Sequence, residues 1–512
     1  MVRYMRVALR FCVMLSLLTA AVSGFSATTY YIDYASGADT NSGTTKATPW
    51  QHLPGMVGCK SVCASTTPVA GAQFILKGGV TWPNASFPIT WTWSGSSGSP
   101  IYIGVDQTWY TGSSWSRPIF NAGGSAISGA NNDFIYIIGY QYVTFDNIEM
   151  TGFYWTGAGS FGHLSYIDIR TSDYITLTNL YLHNWTHAAG ADDSNCYIVL
   201  GDGGSPFSAH STFDNGIIQN ADGRVQDGAS GSCAALFHWG NVHNSVFHDM
   251  PTAILPSVGG IKEISGNQIY NIVGSIGGVH PNAIETVGNG AAAGTEYIHD
   301  NWIHDIVLGE ALTIGNPLET LYVWNNVIYN LMAVGANTPH FPQNAGTAGL
   351  TLVFWNNTIV AYSNNPCFGQ NGTTPVTNLT IQNNHCITTG TTTSGITTSS
   401  PVISNNVLQT PTVAAAQGYS SSETYAYSPS SSAVATAGAG TNISALATGN
   451  MAGLTNDTSY ACSVGSDNQV TCPTRSTVVR AQSGAWDVGA YQFGQASQAK
   501  PVPPSNVAAS TK

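Results

Sequence analysis

Acidic residues and histidines gather between residues 238 and 310 of a chain that carries few charges elsewhere. Only 26 of the 512 residues are aspartate or glutamate. Two carboxyl groups that flank a glycosidic bond can hydrolyse it, one as an acid and the other as a base or nucleophile. His280 would orient a carboxyl group or the substrate. The candidate catalytic residues are Glu285, Glu310, Asp305 and His280.

Aromatic and histidine side chains in the same region suggest a surface that binds sugar rings, because aromatic rings stack on apolar faces. The candidates for substrate binding are Trp239, Trp302, His248 and His304. A structural interpretation of the polar residues stays open beside the catalytic one. Buried polar side chains usually cap turns and satisfy backbone donors in long loops.

A repeat reveals the elements that must position these residues. Ten asparagines each open a short strand-like segment such as NQIYNI, and they recur at intervals of 22 to 36 residues. Apolar and polar residues alternate after each asparagine, which suits a pleated strand with one buried face. A constant strand with a variable spacer predicts a solenoid. The ten are Asn147, Asn179, Asn215, Asn244, Asn267, Asn301, Asn326, Asn357, Asn384 and Asn406.

The predicted fold is all-β, a single-stranded right-handed parallel β-helix of roughly ten or more coils. We expect each asparagine at a bend, where Asn tolerates left-handed backbone and its amide can bond the same side chain one coil away. Counting from these asparagines gives His248, Asn271 and Asp305 the same position in successive coils. Side chains at one position of successive coils would form a ladder.

A second set of strand-like segments precedes the asparagines. Aligning these segments with one another predicts where Glu285 and Glu310 lie relative to each other. Glu310 begins a strand one coil after Glu285 and three positions earlier in register, so their backbones would lie about 10 Å apart. Glu285 is the leading candidate because it replaces apolar or neutral residues. The residues aligned with it are Val199, Leu236, Leu255 and Thr313.

Composition and charge narrow the classes of function. Charged residues make up 8% of the chain and glycine contributes 56 residues, which favours an all-β solenoid outside the cell over a helical bundle. Residues 1–26 match a secretory signal, with three arginines before a short apolar run. Cleavage there would shift the net charge from −12 to −15. An acidic protein is a poor partner for nucleic acid, and no later stretch predicts a transmembrane segment.

Eight of the nine cysteines follow the predicted signal, an even number that favours disulfides in an exported chain. A zinc site is the alternative, but the pairs are scattered along the sequence. The predicted pairs are Cys59 with Cys63, Cys196 with Cys233, Cys367 with Cys386, and Cys462 with Cys472.

Three motifs resemble those of secreted bacterial right-handed β-helix proteins in the pectate-lyase-like superfamily. The start of the mature chain carries G-x-D-x-N-x-G from Gly37 and then Pro49-Trp50, similar to the amino-terminal cap of these proteins. The asparagine repeat reads N-x-[IV]-[YFH]-[ND], and Trp486–Phe493 reads WDVGAYQF, similar to their D-[IV]-G-A-Y ending. The resemblance implies the fold, whereas the superfamily contains lyases, hydrolases, epimerases, esterases and adhesins.

The expected organisation follows from these features. It comprises a signal peptide at 1–26, a cap with the first coils at 27–120, the β-helix at 121–410, an irregular carboxy-terminal β layer at 411–495 and a disordered tail at 496–512.

The expected function is that of an exported carbohydrate-active protein, secreted or on the cell surface, which hydrolyses a neutral or weakly charged polysaccharide. A non-catalytic adhesin or glycan-binding solenoid is one alternative. A polysaccharide lyase with Lys262 or Arg170 near its site is another, although these two cations do not share a register. The expected state is a monomer without a cofactor. Asp192 and Asp193 could help to bind calcium, but adjacent acids more often form a solvated turn.

Overall fold

The computed structural model describes most of the chain after residue 26. The described residues are 27–127, 133–155, 165–187, 197–201, 210–219, 234–257, 259–273, 281–286, 293–307, 309–314, 318–332, 343–344, 349–370, 375–417, 419, 427–429, 431–458, 462–472 and 477–493. The predicted signal peptide and tail, His280, the Cys196–Cys233 pair and the Asp192-Asp193 pair lie outside these residues.

Three long parallel sheets form the body of the molecule, and each coil of the chain adds one strand to each sheet in turn. Sheet 1 contains Thr29–Ile32, Gln73–Gly78, Ile101–Tyr110, Gln141–Asp146, Asp173–Thr178, Thr212–Asp214, Asn241–His243, Gly260–Ser265, Gly294–His299, Glu319–Trp324, Thr351–Trp355, Asn378–Gln382 and Val402–Ser404. Sheet 2 contains Thr81–Pro83, Ile119–Asn121, Glu149–Thr151, Tyr181–Leu182, Ile217–Gln219, Val246–Met250, Gln268–Ile272, Trp302–Ile306, Val327–Leu331, Thr358–Val360, His385–Ile387 and Val407–Gln409. Sheet 3 contains Ile89–Trp91, Ile135–Ile137, Ile167–Asp168, Tyr197–Leu200, Ala234–Trp239, Thr252–Pro256, Asn282–Thr286, Glu310–Ile314, Gln343–Asn344, Phe368–Gln370 and Thr393–Ser394.

The other described elements are short. The helices are Ser61–Ser65 and Pro411–Ala416, with 3₁₀ turns at Asn84–Ser86, Ser444–Leu446 and Gly449–Thr455. Two small pairings join Tyr154–Trp155 to Thr186–His187 and Ser463–Val464 to Val470–Thr471. Within these described ranges, no helix combines the length and the apolar composition needed to cross a membrane. The prediction of an all-β, right-handed parallel β-helix is confirmed.

The core is built from rows of apolar side chains that stack from coil to coil. In sheet 1 one row runs through Ile298, Val323, Phe354 and Ile381, all of them buried. Because strand residues alternate between two faces, a slip of one residue would turn such a row to the solvent. The register between coils therefore decides which side chains meet on the outside.

An amide ladder fixes that register in the later coils, at the turn between sheets 1 and 2. Each Asn Nδ2 donates to the Oδ1 of the next Asn at 2.9–3.0 Å, and that oxygen also accepts a backbone N–H. The ladder runs through Asn267, Asn301, Asn326, Asn357, Asn384 and Asn406. The residue before each of them has left-handed backbone, from Gly266 to Asn405.

The first four of the ten repeat asparagines, Asn147, Asn179, Asn215 and Asn244, occupy the left-handed position themselves, one residue earlier than the ladder. Ser245, not Asn244, is equivalent to Asn267, and Ser245 N–H donates to Asn267 Oδ1 at 3.0 Å. The predicted alignment of His248 with Asn271 and Asp305 is therefore wrong. His248 pairs with Tyr270 instead. The separately predicted register of sheet 3 is also one residue off: Leu200 and Phe237, not Val199 and Leu236, align with Leu255 and Glu285.

Three of the four predicted disulfides are present in the structure. They join Cys59 to Cys63, Cys367 to Cys386, and Cys462 to Cys472. The second links sheet 2 to the segment before sheet 3, and both of its cysteines belong to the core.

The described residues after 410 fold back over sheets 1 and 2. Tyr491 packs on Trp302 and Tyr329 of sheet 2, while Trp486 packs in a cluster with Trp324 and Trp355 of sheet 1. Arg480 is fully buried between this layer and the β-helix, and donates to Asn325 Oδ1 at 2.8 Å and to backbone carbonyls of the layer. The outer face of sheet 3 takes no part in these contacts.

Three charged side chains lie inside the β-helix, at the corner between sheets 3 and 1. Lys262 Nζ lies 2.8 Å from Glu296 and 3.2 Å from Glu319, and it also donates to the Ser257 carbonyl. All three side chains are fully buried. Burial raises the pKa of Glu296, and the charge of Glu319 adds to this effect. One lysine thus holds two carboxyl groups in the core.

Lys262→Met should destabilise the protein by about 3–5 kcal/mol, because it leaves two buried carboxyl groups without their cation. Denaturant unfolding measures the change. Adding Glu296→Gln and Glu319→Gln to Lys262→Met should recover much of the loss, since no buried charge then remains. A triple variant as unstable as Lys262→Met would show that packing of the lysine stem, not charge pairing, stabilises this corner.

Candidate functional site

Glu285 and Glu310 meet on the outer face of sheet 3, on strands of consecutive coils. Glu310 lies opposite Asn282, and Glu285 lies opposite Thr313. The predicted offset of three positions between the two glutamates is therefore present. Ile284 lies between Asn282 and Glu285 on one strand, and Leu312 lies between Glu310 and Thr313 on the other. Both side chains belong to the core and hold the strands in place. Glu310 is buried and Glu285 is half-buried.

Two polar side chains bridge the glutamates. Thr313 Oγ1 lies 2.5 Å from Glu310 Oε2 and 2.7 Å from Asn282 Oδ1. Asn282 Nδ2 donates to Glu285 Oε2 at 2.8 Å. The result is a continuous hydrogen-bonded chain from Glu310 through Thr313 and Asn282 to Glu285. Asn282 and Thr313 were not among the predicted site residues, although their polarity in a mostly apolar register was a usable signal.

The hydrogen bonds of this chain fit a protonated Glu310. A threonine hydroxyl has one hydrogen and can donate to only one acceptor at a time, yet Thr313 contacts the oxygens of both Asn282 and Glu310. Both contacts become hydrogen bonds when Glu310 carries a proton and donates it to Thr313 Oγ1. Thr313 then donates to Asn282, whose amide donates to Glu285. With Glu310 ionised, Thr313 would have to turn to it and release Asn282.

The environment of Glu310 also favours its protonated form. Burial raises the pKa of Glu310 to about 7, and the charge of Glu285 raises it further against the opposing bond with Thr313. Desolvation acts in this direction because a buried carboxylate loses its water. Two carboxyl groups in unlike environments are the arrangement that separates an acid from a base.

Gly309 allows the backbone of Glu310 to approach the neighbouring coil. Its φ is +97°, and a Cβ at this position would overlap the Pro281 carbonyl. Glu310 N–H donates to that carbonyl at 2.9 Å. A glycine before Glu310 therefore places the carboxyl group beside Asn282.

An apolar surface continues from the glutamates along the same face of sheet 3. Leu255 and Phe237 precede Glu285 in its row, one and two coils away. Tyr197 stacks on Phe237 with ring centroids 3.9 Å apart, and both rings are partly exposed. Tyr197 and Phe237 were not predicted, because the slipped register placed Val199 and Leu236 in this row.

Asp305 belongs to a different part of the structure. It lies near the end of Trp302–Ile306 in sheet 2. Its carboxylate accepts hydrogen bonds from His304 Nδ1 at 2.7 Å and from the Asn330 amide. Burial raises the pKa of Asp305, but the hydrogen bond and charge of His304 outweigh it, so the pKa lies below its ordinary value. The structure thus brings Glu285 and Glu310 together and gives Asp305 its own partners.

The four residues predicted to bind substrate are all buried in this structure, and their role stays a prediction. Trp239 belongs to the core of the β-helix. Trp302 is covered by the carboxy-terminal layer. His248 and His304 stack on either side of Tyr270 with ring centroids about 5 Å apart, and both are at least nine-tenths buried.

The cations considered for a lyase site are occupied elsewhere. Lys262 is buried in the core and cannot act as a base on a glycan. Arg170 makes a close ion pair with Asp168 at 2.8 Å. Among the described residues, no three His, Cys, Asp or Glu side chains are grouped to bind a metal ion. A cavity of about 270 Å³ near Met56 and Trp93 belongs to the amino-terminal cap.

Glu310→Gln should remove a pH dependence of stability. The pKa of Glu310 is about 7 in the folded protein and 4.5 as its ordinary value, so between these pH values the folded state keeps a proton that the unfolded chain has released. The wild-type protein should therefore lose up to about 3 kcal/mol more than the variant as pH rises through this range. Denaturant unfolding at about pH 5 and pH 8 measures the difference.

Glu285→Gln is the matched variant, because it removes the charge that raises the pKa of Glu310. It should reduce the pH-dependent loss without abolishing it. Identical pH dependence in the wild type and both variants would mean that Glu310 does not hold the proton.

Comparisons with known proteins give distant structural neighbours and no sequence relative. No protein-family model and no curated protein sequence matches the chain. Among solved structures, the pectate lyase Pel9A is 15% identical with a TM-score of 0.46, and the match covers 92% of this chain and 98% of that one. The GH136 lacto-N-biosidase from Eubacterium ramulus is 13% identical with a TM-score of 0.42, covering 75% and 68%. PfbA, a surface adhesin of Streptococcus pneumoniae, is 12% identical with a TM-score of 0.33, covering 67% and 80%.

At such identities the likeness concerns the fold, and the chemistry rests on the side chains of sheet 3. The strand order and the asparagine ladder identify the chain as a right-handed parallel β-helix.

Proposed function

We propose that the protein is an exported glycoside hydrolase in which Glu310 is the general acid and Glu285 the general base. The hydrogen-bonded chain from Glu310 through Thr313 and Asn282 to Glu285 carries this proposal. This chain supports a protonated carboxyl group, Glu310, and a proton-accepting carboxylate, Glu285, on the same face of sheet 3. A glycosidic bond is broken by such a pair, with one group donating and the other accepting a proton.

The proposed reaction balances with one water molecule. Glu310 gives its proton to the glycosidic oxygen, and the bond from that oxygen to the anomeric carbon breaks with its electron pair on the oxygen. Water attacks the anomeric carbon and gives a proton to Glu285. Exchange with solvent then returns the proton to Glu310. Asn282 and Thr313 position the two carboxyl groups and make no bond to the reacting atoms.

The bridge between the carboxyl groups favours inversion of the anomeric centre. Inverting hydrolases hold their carboxyl groups about 6.5–9.5 Å apart so that water fits between them, whereas retaining ones need about 5–5.5 Å. Glu285 and Glu310 lie on backbones about 10 Å apart by strand geometry. The side chains of Thr313 and Asn282 connect the two carboxyl groups. The larger carboxyl separation of inverting hydrolases suits this arrangement.

The substrate we propose is a neutral or weakly charged glycan that lies along the axis of the β-helix. Phe237 and Tyr197 offer partly exposed rings two to three coils from the glutamates, a distance of roughly 10 Å or more. The cation Arg170, which follows the sheet 3 strand Ile167–Asp168, is paired with Asp168. Aromatic rings without an available cation favour an uncharged sugar over a uronate. Export is supported by the three disulfides, which fit an oxidising environment.

The test is digestion of a glycan panel by the wild type, Glu285→Gln and Glu310→Gln. We expect new reducing ends without the absorbance of unsaturated products. Each variant should lower kcat by about 10²–10⁴, the usual loss when a general acid or base is removed. The wild-type kcat should fall as pH rises above about 7, because Glu310 must be protonated to act.

Glu263→Gln is the matched control, since Glu263 is a half-buried glutamate of sheet 1 that pairs with His299. Its activity should equal that of the wild type. Unsaturated products would contradict the proposal in favour of a lyase. Binding without any cleavage, unchanged in Glu285→Gln, would indicate a glycan-binding solenoid instead.

A further inference from the structure

The last coil of the β-helix leaves two core rows uncovered. Ile403 ends the sheet 1 row whose preceding member, Ile381, is fully buried, yet Ile403 itself is 45% exposed. Leu408 ends the sheet 2 row after Cys386, which is also fully buried, and Leu408 is 47% exposed. In the described part of the chain no further coil follows, so nothing there covers these two side chains as the next coil covers Ile381 and Cys386. Val402 beside them is 52% exposed.

The backbone at this end is open as well. Val402–Ser404 and Val407–Gln409 are the last strands in the pairing order of sheets 1 and 2. Each is paired with the strand of the preceding coil only, among the strands that the structure describes. An exposed strand edge with apolar side chains is a template for pairing with another chain, and proteins usually protect it with charged residues.

No such protection exists in the sequence of these coils. Residues 320–422 contain no Asp, Glu, Lys or Arg, whereas the whole chain has a net charge of −12. This end is therefore a surface on which two copies of an acidic protein can meet without close like charges. The opposite end is sealed: Trp50 bridges to Ile32 at the first strand of sheet 1, and both are fully buried.

We propose that the open carboxy-terminal end of the β-helix binds the same end of a second copy of this chain. The sealed amino-terminal end excludes head-to-tail stacking, so the contact must join like ends through a two-fold axis. The Val402–Ser404 edges of the two copies then run antiparallel and can exchange backbone hydrogen bonds. Ile403 and Leu408 complete the two core rows across the interface. This proposal replaces the expectation of a monomer.

Light scattering coupled to size exclusion tests the proposal on the full chain over a wide range of concentration. The wild type should have the mass of a dimer. Ile403→Lys and Leu408→Lys should have the mass of a monomer, because each places a charge in the apolar contact. The lysines can reach solvent at these partly exposed positions, so the variants should unfold at the same denaturant concentration as a dilute wild-type sample.

Ile261→Lys is the matched control, since Ile261 is 60% exposed on a sheet 1 strand far from this end. It should remain a dimer. A monomeric wild type at every concentration would overturn the proposal, as would a dimer that Ile261→Lys dissociates and Ile403→Lys does not. A monomeric wild type that dimerises once residues 494–512 are removed would also overturn it, by showing that the tail covers this end.

Discussion

The constraint on which the structure depends is the register between successive coils. A parallel β-helix has no local element that is stable alone, and each strand takes its position from the coil before it. In the later coils the amides of Asn267 to Asn406 join side chain to side chain and also accept backbone N–H groups. A neighbouring coil shifted by one residue would lose these buried hydrogen bonds, because each amide oxygen already accepts two N–H groups in the observed register.

The candidate site is a direct consequence of this register. Asn282 lies opposite Glu310 and Thr313 opposite Glu285 only when the two coils are aligned as they are. A shift by one residue would send these side chains to the core and break the chain of hydrogen bonds. Gly309 contributes locally by letting the backbone approach Pro281. The site thus depends on the same stacking that builds the core, which explains how residues from separate coils could form an acid and a base.

The sequence predicts the fold well because the solenoid repeats a short pattern with simple physical causes. It also predicts the three-position offset of Glu285 and Glu310, which depends on two adjacent strands alone. It fails where asparagine has two roles: at Asn244 it supplies left-handed backbone, and at Asn267 it supplies the ladder amide. Because the residue type is the same at both positions, the predicted register slips by one residue and aligns His248 with Asn271 instead of Tyr270. In sheet 3 the separate alignment from Cys196 and Cys233 is also one residue off, which hides Phe237. Burial of Trp302 could not be predicted either, because the layer that covers it comes from residues nearly two hundred positions later.

The proposed acid depends on Glu310 keeping its proton up to about pH 7 and donating it in a hydrogen bond to Thr313. The most direct measurement is an isotope-edited infrared titration of the glutamate carboxyl groups, with Glu310→Gln to assign the band. The account predicts a protonated carboxyl band that disappears with a midpoint near pH 7 and is missing in the variant. A Glu310 band with a midpoint near the ordinary value of 4.5 would contradict it, because both glutamates would then be bases.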